Sequence, residues 1–572
     1  MRVVLAVFHF NVQYVSGDLN RYHRYCSEAV TPFLETVLRN PHWHVSVEMA
    51  GSGLEFLNDH YPKTMRLFRD LIEQGRIELI SSTYTPSLWV AFPRKDLLKS
   101  IELNRTTLQR LGLPVAKVFF GQEAFFGPGV ASLSGFFDFS LCKDDYLRYF
   151  TSFEQTAPLC SVGSMPVIVG EGHLLNELAA RYRSSGWRGP ALTERHRRRL
   201  GEARRPRSPK GVLGPVHTYG EIAWRWYHMG SGHHFCTCFS PEDSSRFFCD
   251  PLWLAANQYV LNCISDEGFR LATVTQFFNA VRQYSPIPLP PLPEGSWNSK
   301  NSRGVLAWMG LQRNDWEDVP GLLSIAWRAG AALRRLEEAT RDGADNNAEL
   351  DKSVAEAWRV QLFAECSDPL GWRPTPQETR FGFEAAEQAL RGAASLRAVY
   401  EGPPSAEMIL QYGANRPLTR PNRFLGFGPA PRLFGARGAK SFLTLDRDRA
   451  VWDLRFTSLE AYCGVEFPAP VEELIYCPSA MESEVLRIPL RELRPRIICV
   501  PLTNGLIALG DGVYLIRDNA LGYVAARLDR VKRAVSFGID RPTKGKEYSW
   551  RFFVVRGRVE DAVDFANKIN CV

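Results

Sequence analysis

Along the first 295 residues, short apolar runs alternate with longer stretches whose apolar positions recur at helical spacing. Residues 3–8, 45–49, 77–81 and 118–120 read as buried strands, and residues 63–73 and 95–111 as helices between them. Repetition of that unit predicts an α/β barrel over residues 1–295. Function in such barrels gathers at the C-terminal ends of the strands, where His9, Asn11, Glu48, Ser82 and Glu123 fall. The segment Pro286-Ile287-Pro288-Leu289-Pro290-Pro291-Leu292-Pro293 can neither continue a helix nor sit inside a sheet, so a domain junction is expected near it. Residues 322–340, 350–363 and 384–400 then carry helical periodicity rich in Ala, Leu and Glu, which predicts a helical bundle over 296–402. From 403 to 572 the pattern shifts to short β-type runs, among them 451–456, 497–501, 513–517 and 550–555, and predicts a β-sandwich.

Composition changes this picture little. At 572 residues the chain is long enough for two or three cores, and 45% apolar with 23% charged residues is ordinary globular usage. The net charge of +7 is local: residues 181–210 hold eleven Lys or Arg against Glu194 and Glu202, a balance of +9, which leaves −2 for the remainder. That Arg-rich stretch, broken by Pro206 and Pro209, reads as a solvated insertion, and no nucleic-acid partner is expected. The twelve cysteines show no paired CxxC spacing, so free thiols in a reducing compartment are expected. The apolar run at the N-terminus is too short for a secretory core, and no stretch approaches the ~20 apolar residues of a membrane span. A soluble cytoplasmic protein with no membrane partner is the expectation; oligomeric state is not legible.

The chemistry concentrates early, because all eleven histidines lie at or before His234. The segment Phe119-Phe120-Gly121-Gln122-Glu123-Ala124-Phe125-Phe126 ends an apolar strand in a carboxylate flanked by aromatic rings able to stack on sugar faces, although a plain ion pair would fit that glutamate equally. In Trp224-Arg225-Trp226-Tyr227-His228, alternation would place both tryptophans and His228 on one strand face, as a sugar platform or as core. His9, His228, His233 and His234 could join acidic residues around a metal, but adjacent His233 and His234 point to opposite faces of an extended segment. No metal site and no cofactor is expected.

Several of these segments, taken in order, resemble glycoside hydrolase family 57. His9-Phe10-Asn11-Val12-Gln13 is similar to that family's His-x-His-Gln-Pro motif, with Asn11 in place of the second histidine. Gly75-Arg76-Ile77-Glu78, followed by Ser81, Ser82 and Tyr84, is similar to the second motif, and the Glu123 segment to the one bearing the nucleophile. The resemblance implies a (β/α)7-type barrel followed by a helical bundle and a β-sandwich, and a retaining glycoside hydrolase or glucanotransferase acting on α-linked glucan-like polysaccharide. It also implies a second carboxylate as general acid, where Ser231 in Ser231-Gly232-His233-His234 departs from the motif. Three readings stay open: Asp243 or Glu221 supplies the proton from a nearby loop, His233 or His234 does, or catalysis has been lost. The expected catalytic pair is Glu123 and Asp243, with His9, Asn11, Tyr84, Trp226, His228, His233 and His234 on the substrate. The alternatives are a non-catalytic carbohydrate-binding or regulatory protein on a degenerate barrel, and a metal-dependent polysaccharide deacetylase.

Overall fold

The computed structural model describes residues 2–12, 17–153, 157–170, 227–228, 234–240, 248–266, 269–296, 305–309, 319–342, 348–371, 374–401 and, but for a few positions, 432–570. Seven parallel strands form its first layer: β1 (Arg2–His9), β2 (Val45–Glu48), β3 (Ile77–Ile80), β4 (Val118–Phe119), β5 (Phe139–Lys143), β6 (Met165–Gly170) and β7 (His234–Ser240). β1 pairs with β2 on one side and β7 on the other, β2 with β3, β4 with β5, and β5 with β6, always in parallel. The two sheets are joined where the Ala116 amide donates to the Leu79 carbonyl at 2.9 Å and where β6 lies alongside β7. Among the described residues these seven strands form the barrel wall, and a short strand, Arg270–Ala272, also pairs with β1 in parallel.

Alternation along each strand divides its side chains between two cores. Val3, Leu5 and Val7 of β1 pack inward with Ile80, Val118, Phe139, Leu141 and Ile168. Val4, Ala6 and Phe8 pack outward against the surrounding helices, with Phe33, Leu34 and Leu54. Those helices include α1 (Arg94–Leu111), which stops at Gly112 in the left-handed conformation (φ 63°) that glycine tolerates.

Three long helices follow, α2 (Val319–Asp342), α3 (Ala348–Ala364) and α4 (Pro376–Glu401). Their shared core of Ala329, Leu333, Trp358, Leu362 and Ala389 takes in Tyr84 and Leu103 of the barrel. Two antiparallel sheets, of five and seven strands, complete the chain. They pack face to face: Phe467 and Phe537 of the smaller sheet meet Phe552 of the larger at 5.2 and 4.9 Å between ring centroids. A final helix, Val559–Asn570, covers the outer face of the seven-stranded sheet through Ala562, Val563 and Ala566, and the reading of residues 403–572 as strands alone did not include it.

One apolar cluster runs from Trp89, Phe92 and Phe125 of the barrel through Leu322 and Trp327 of α2 to Tyr523 and Phe537 of the sandwich. At its centre Glu294, fully buried, accepts hydrogen bonds from the Tyr476 hydroxyl (2.8 Å) and the Ser479 amide (2.7 Å). Burial pushes its carboxyl above the ordinary glutamate value. The proline-rich segment beside it corrects one expectation, because Ile287–Pro288 does enter a sheet. It does so at an edge, paired with Cys160 and Ser161, where a residue without an N–H is tolerated.

Candidate active site

The inward alternation that makes the barrel core turns polar at the C-terminal end of each strand. Above Val7 comes His9, in register with Glu48 of β2, and both are 4% exposed. His9 Nδ1 and the Glu48 carboxylate are hydrogen-bonded, and His9 Nε2 lies 3.1 Å from the Gln122 side-chain amide. A neutral imidazole satisfies both contacts, with Nδ1–H donating to Glu48 and Nε2 accepting from Gln122. The ring is therefore fixed from two other strand ends, those of β2 and β4.

Asn11, also 4% exposed, donates through Nδ2 to Asp368 Oδ2 at 3.1 Å and Oδ1 at 3.3 Å. Asp368 comes from the helical region, on the short helix Ser367–Leu370. Its segment is tied to the loop after β3: the Thr85 hydroxyl donates to Leu362 O (2.9 Å), the Leu88 amide to Glu365 O (2.8 Å) and the Ser367 amide to Pro86 O (2.8 Å). His9, Asn11, Val12, Met49, Pro86 and Gln122 line a depression at this mouth.

Glu123 stands one residue beyond Gln122, half-buried, with φ 55° and ψ 26°, and Ala124 follows with φ 47°. Two successive side-chain-bearing residues in the left-handed region are strained, of order 1–2 kcal/mol each. The surroundings hold the turn in place. A Cβ on Gly121 would meet Phe125 O at 2.3 Å and Trp89 Nε1 at 2.7 Å, so the backbone closes here only without a side chain.

The flanking rings are not a sugar platform. Phe125 and Phe126 are 1% and 2% exposed and pack on Trp308 and Tyr146, so burial in the common core corrects the reading of them as stacking surfaces. Tyr84 is also buried; its hydroxyl donates to Glu55 (2.7 Å) and accepts from Arg359 (2.8 Å), in the seam between barrel and α3. Burial and the adjacent Glu55 carboxylate raise the Tyr84 pKa. His234 pairs with Arg2 and His228 with His234, which puts both backbones at the N-terminal edge of the sheet. Arg2 and His9 are seven positions apart, about 23 Å along a strand, so the backbones of these two histidines are not brought to His9. Alternation identifies a face and not which end of the strand serves the mouth. Trp226, His233 and Asp243, like the Arg-rich stretch 181–210, lie outside the described residues.

Asp368, Gln122 and Lys143 were not anticipated. Lys143 continues the Phe139–Leu141 alternation and was findable from it, whereas nothing local marks Asp368, 357 positions from Asn11. Among the described residues no group of three or more His, Cys, Asp or Glu is placed to hold a metal, and no helix is long and apolar enough to cross a membrane.

Residues 9–159 match the family model for glycosyl hydrolase family 57. The match starts at His9, the last residue of β1, runs through β5 and includes the turn that carries Glu123. An alpha-amylase of Pyrococcus horikoshii is 31% identical over 85 residues, 15% of this chain and 13% of that enzyme, so the chain spans well under a fifth of this relative. Among solved structures, a family 57-type branching enzyme of Pyrococcus horikoshii superposes with TM-score 0.52 at 14% identity, over 71% of this chain and 93% of the other. An alpha-mannosidase of Enterococcus faecalis superposes over the whole chain and 88% of its own length, with TM-score 0.58 at 8% identity. These two likenesses concern the fold alone.

Proposed function

We propose that this protein is a retaining glycoside hydrolase or glucanotransferase acting on an α-linked glucan, with Glu123 as the nucleophile. The observation that carries the reading is the strained, closely packed turn that presents a half-buried Glu123 at a barrel strand end, beside the His9–Glu48 and Asn11–Asp368 pairs. The family 57 match over the same residues supports it. Strain of this kind is retained where the geometry it fixes is used.

In this reading Glu123 attacks the anomeric carbon as the leaving oxygen departs, forming a covalent glycosyl-enzyme that water or another sugar hydroxyl resolves. His9, Asn11 and Asp368 hold ring hydroxyls. Asp243 gives its proton to the leaving oxygen and then takes one from the incoming acceptor. The choice of Asp243 rests on the sequence, in which it stands three positions after Ser240, the last residue of β7. A retaining pair stands about 5–5.5 Å apart, the spacing expected between Glu123 and its acid. The division into barrel through residue 295, bundle through 402 and sandwich thereafter belongs to the same proposal.

The test is incubation of wild type, Glu123→Gln and Asp243→Asn with a panel of α-glucans and aryl α-glucosides. Turnover lost in both variants is the expected result. Saccharide binding without turnover in wild type would favour a non-catalytic carbohydrate-binding protein.

A further inference from the structure

At the C-terminal end of β5 the inward positions Phe139 and Leu141 are followed by Lys143, whose side chain is 1% exposed. Its ammonium lies 3.2 Å from the carboxylate of Asp145, which is 28% exposed. The intervening Asp144 is fully buried and pairs with Arg148 at 2.8 Å. Taking an ammonium out of water carries a desolvation cost that an apolar side chain avoids, and an apolar side chain would fill this level of the barrel as Phe139 and Leu141 fill the levels below. What the pair provides is an oriented carboxylate at the rim of the mouth. On one side of Lys143, β4 runs in register with β5 and its Gln122–Ala124 turn packs against β5. On the other side the paired position is Gly170, which adds no side chain.

We propose that Asp145, oriented by Lys143, accepts a hydrogen bond from a hydroxyl of the sugar ring that lies over Glu123, with Lys143 as the positioning residue. This rests on the glycosidase reading above and adds a specificity-determining contact to it. A carboxylate is an acceptor only, and a ring hydroxyl is a matching donor. Beside an ammonium the carboxylate reads hydroxyls and does not supply the proton that cleavage needs. The ligand is thus a neutral pyranose carrying a hydroxyl at one defined ring position.

The test compares 4-nitrophenyl α-glucoside with its 2-, 3-, 4- and 6-deoxy analogues on wild type, Asp145→Asn, Lys143→Met and Lys143→Arg, each checked for folding by thermal melting. Loss of one hydrogen bond to a charged group predicts a drop in kcat/KM of about tenfold or more for the parent glucoside in Asp145→Asn and Lys143→Met. For one deoxy analogue the difference between wild type and variant should shrink to near unity, a coupling that a merely structural role would not produce. If the glucosides are bound but not cleaved, the same ratios are read from dissociation constants. Equal losses on every analogue, or no loss on any, would overturn the inference while leaving the glycosidase reading intact. Wild type that neither binds nor cleaves any α-glucoside would overturn both.

Discussion

The Asn11 side-chain amide donates to both carboxylate oxygens of Asp368, at 3.3 and 3.1 Å, across 357 positions of sequence. The barrel mouth is therefore assembled from two parts of the chain, and the helical region contributes a group to it. Asp368→Ala should weaken saccharide binding by about tenfold or more, the weight of a hydrogen bond to a charged group, while leaving the melting temperature within a few degrees of wild type. Calorimetric titration with a maltooligosaccharide checks the first expectation and thermal unfolding the second. Unchanged affinity would remove Asp368 from the site.

The turn around Glu123 makes two opposite predictions. Gly121→Ala inserts a methyl 2.3 Å from the Phe125 carbonyl, so stability should fall by about 1–3 kcal/mol and kcat should drop as Glu123 moves. Ala124→Gly relieves a residue at φ 47°, so its stability should stay level or rise by about 0.5–1 kcal/mol, against the usual cost of that exchange. Urea unfolding of the two variants measures both. An Ala124→Gly variant clearly less stable than wild type would contradict the strain.

A buried acid network joins barrel and helices. Arg334 contacts both oxygens of Asp96 at 2.5 Å, and Gln361 donates to Glu365 at 2.8 Å, with all four residues at most 2% exposed. Burial, then the neighbouring Asp96 charge, raises the Glu365 pKa well above the ordinary carboxylate value. The folded state then holds a proton that the unfolded chain releases near the normal glutamate value. Stability from this group is full below that value and falls as pH rises toward the folded one. Glu365→Gln, which mimics the protonated acid, should flatten this slope and stabilise the protein at pH 8 by about 1–3 kcal/mol. Denaturation at pH 5 and pH 8 decides it; a variant destabilised equally at both would contradict the assignment.

Glu294 predicts a different sensitivity. It is fully buried against Tyr476 and Ser479 where the barrel meets the sandwich. Glu294→Ala should leave those donors without a partner and lower stability by about 2–4 kcal/mol, read as a lower urea midpoint. A midpoint equal to wild type would mean that the seam does not depend on this carboxylate.

What was legible in the sequence follows from range. β1 with His9 at its end and Asn11 just beyond, the helices α1 to α3 and the strand end before Glu123 are set by local periodicity and stand within three residues of where the pattern places them, whereas α4 begins eight residues earlier, at Pro376. Lys143 was equally local, but a lysine at an inward position is easily passed over as a loop residue. Phe125 and Phe126 were misread because one sequence does not distinguish a ring facing a groove from one facing a core that the sandwich completes. His228 and His234 required knowledge of which sheet end is the mouth, and Asp368 required the folded contact with Asn11. The helix Val559–Asn570 has clear helical spacing at Val559, Ala562, Val563 and Ala566, and was masked by the strand-rich sequence before it.

The central claim is that Glu123 becomes covalently glycosylated. Incubation with a 5-fluoro-α-glucosyl fluoride, followed by intact-mass measurement and peptide mapping, tests it directly. The expected result is one added glycosyl unit on the peptide containing Glu123, absent in Glu123→Gln. An adduct on a different carboxylate, or turnover of α-glucosides with no adduct and no loss in Glu123→Gln, would contradict the account.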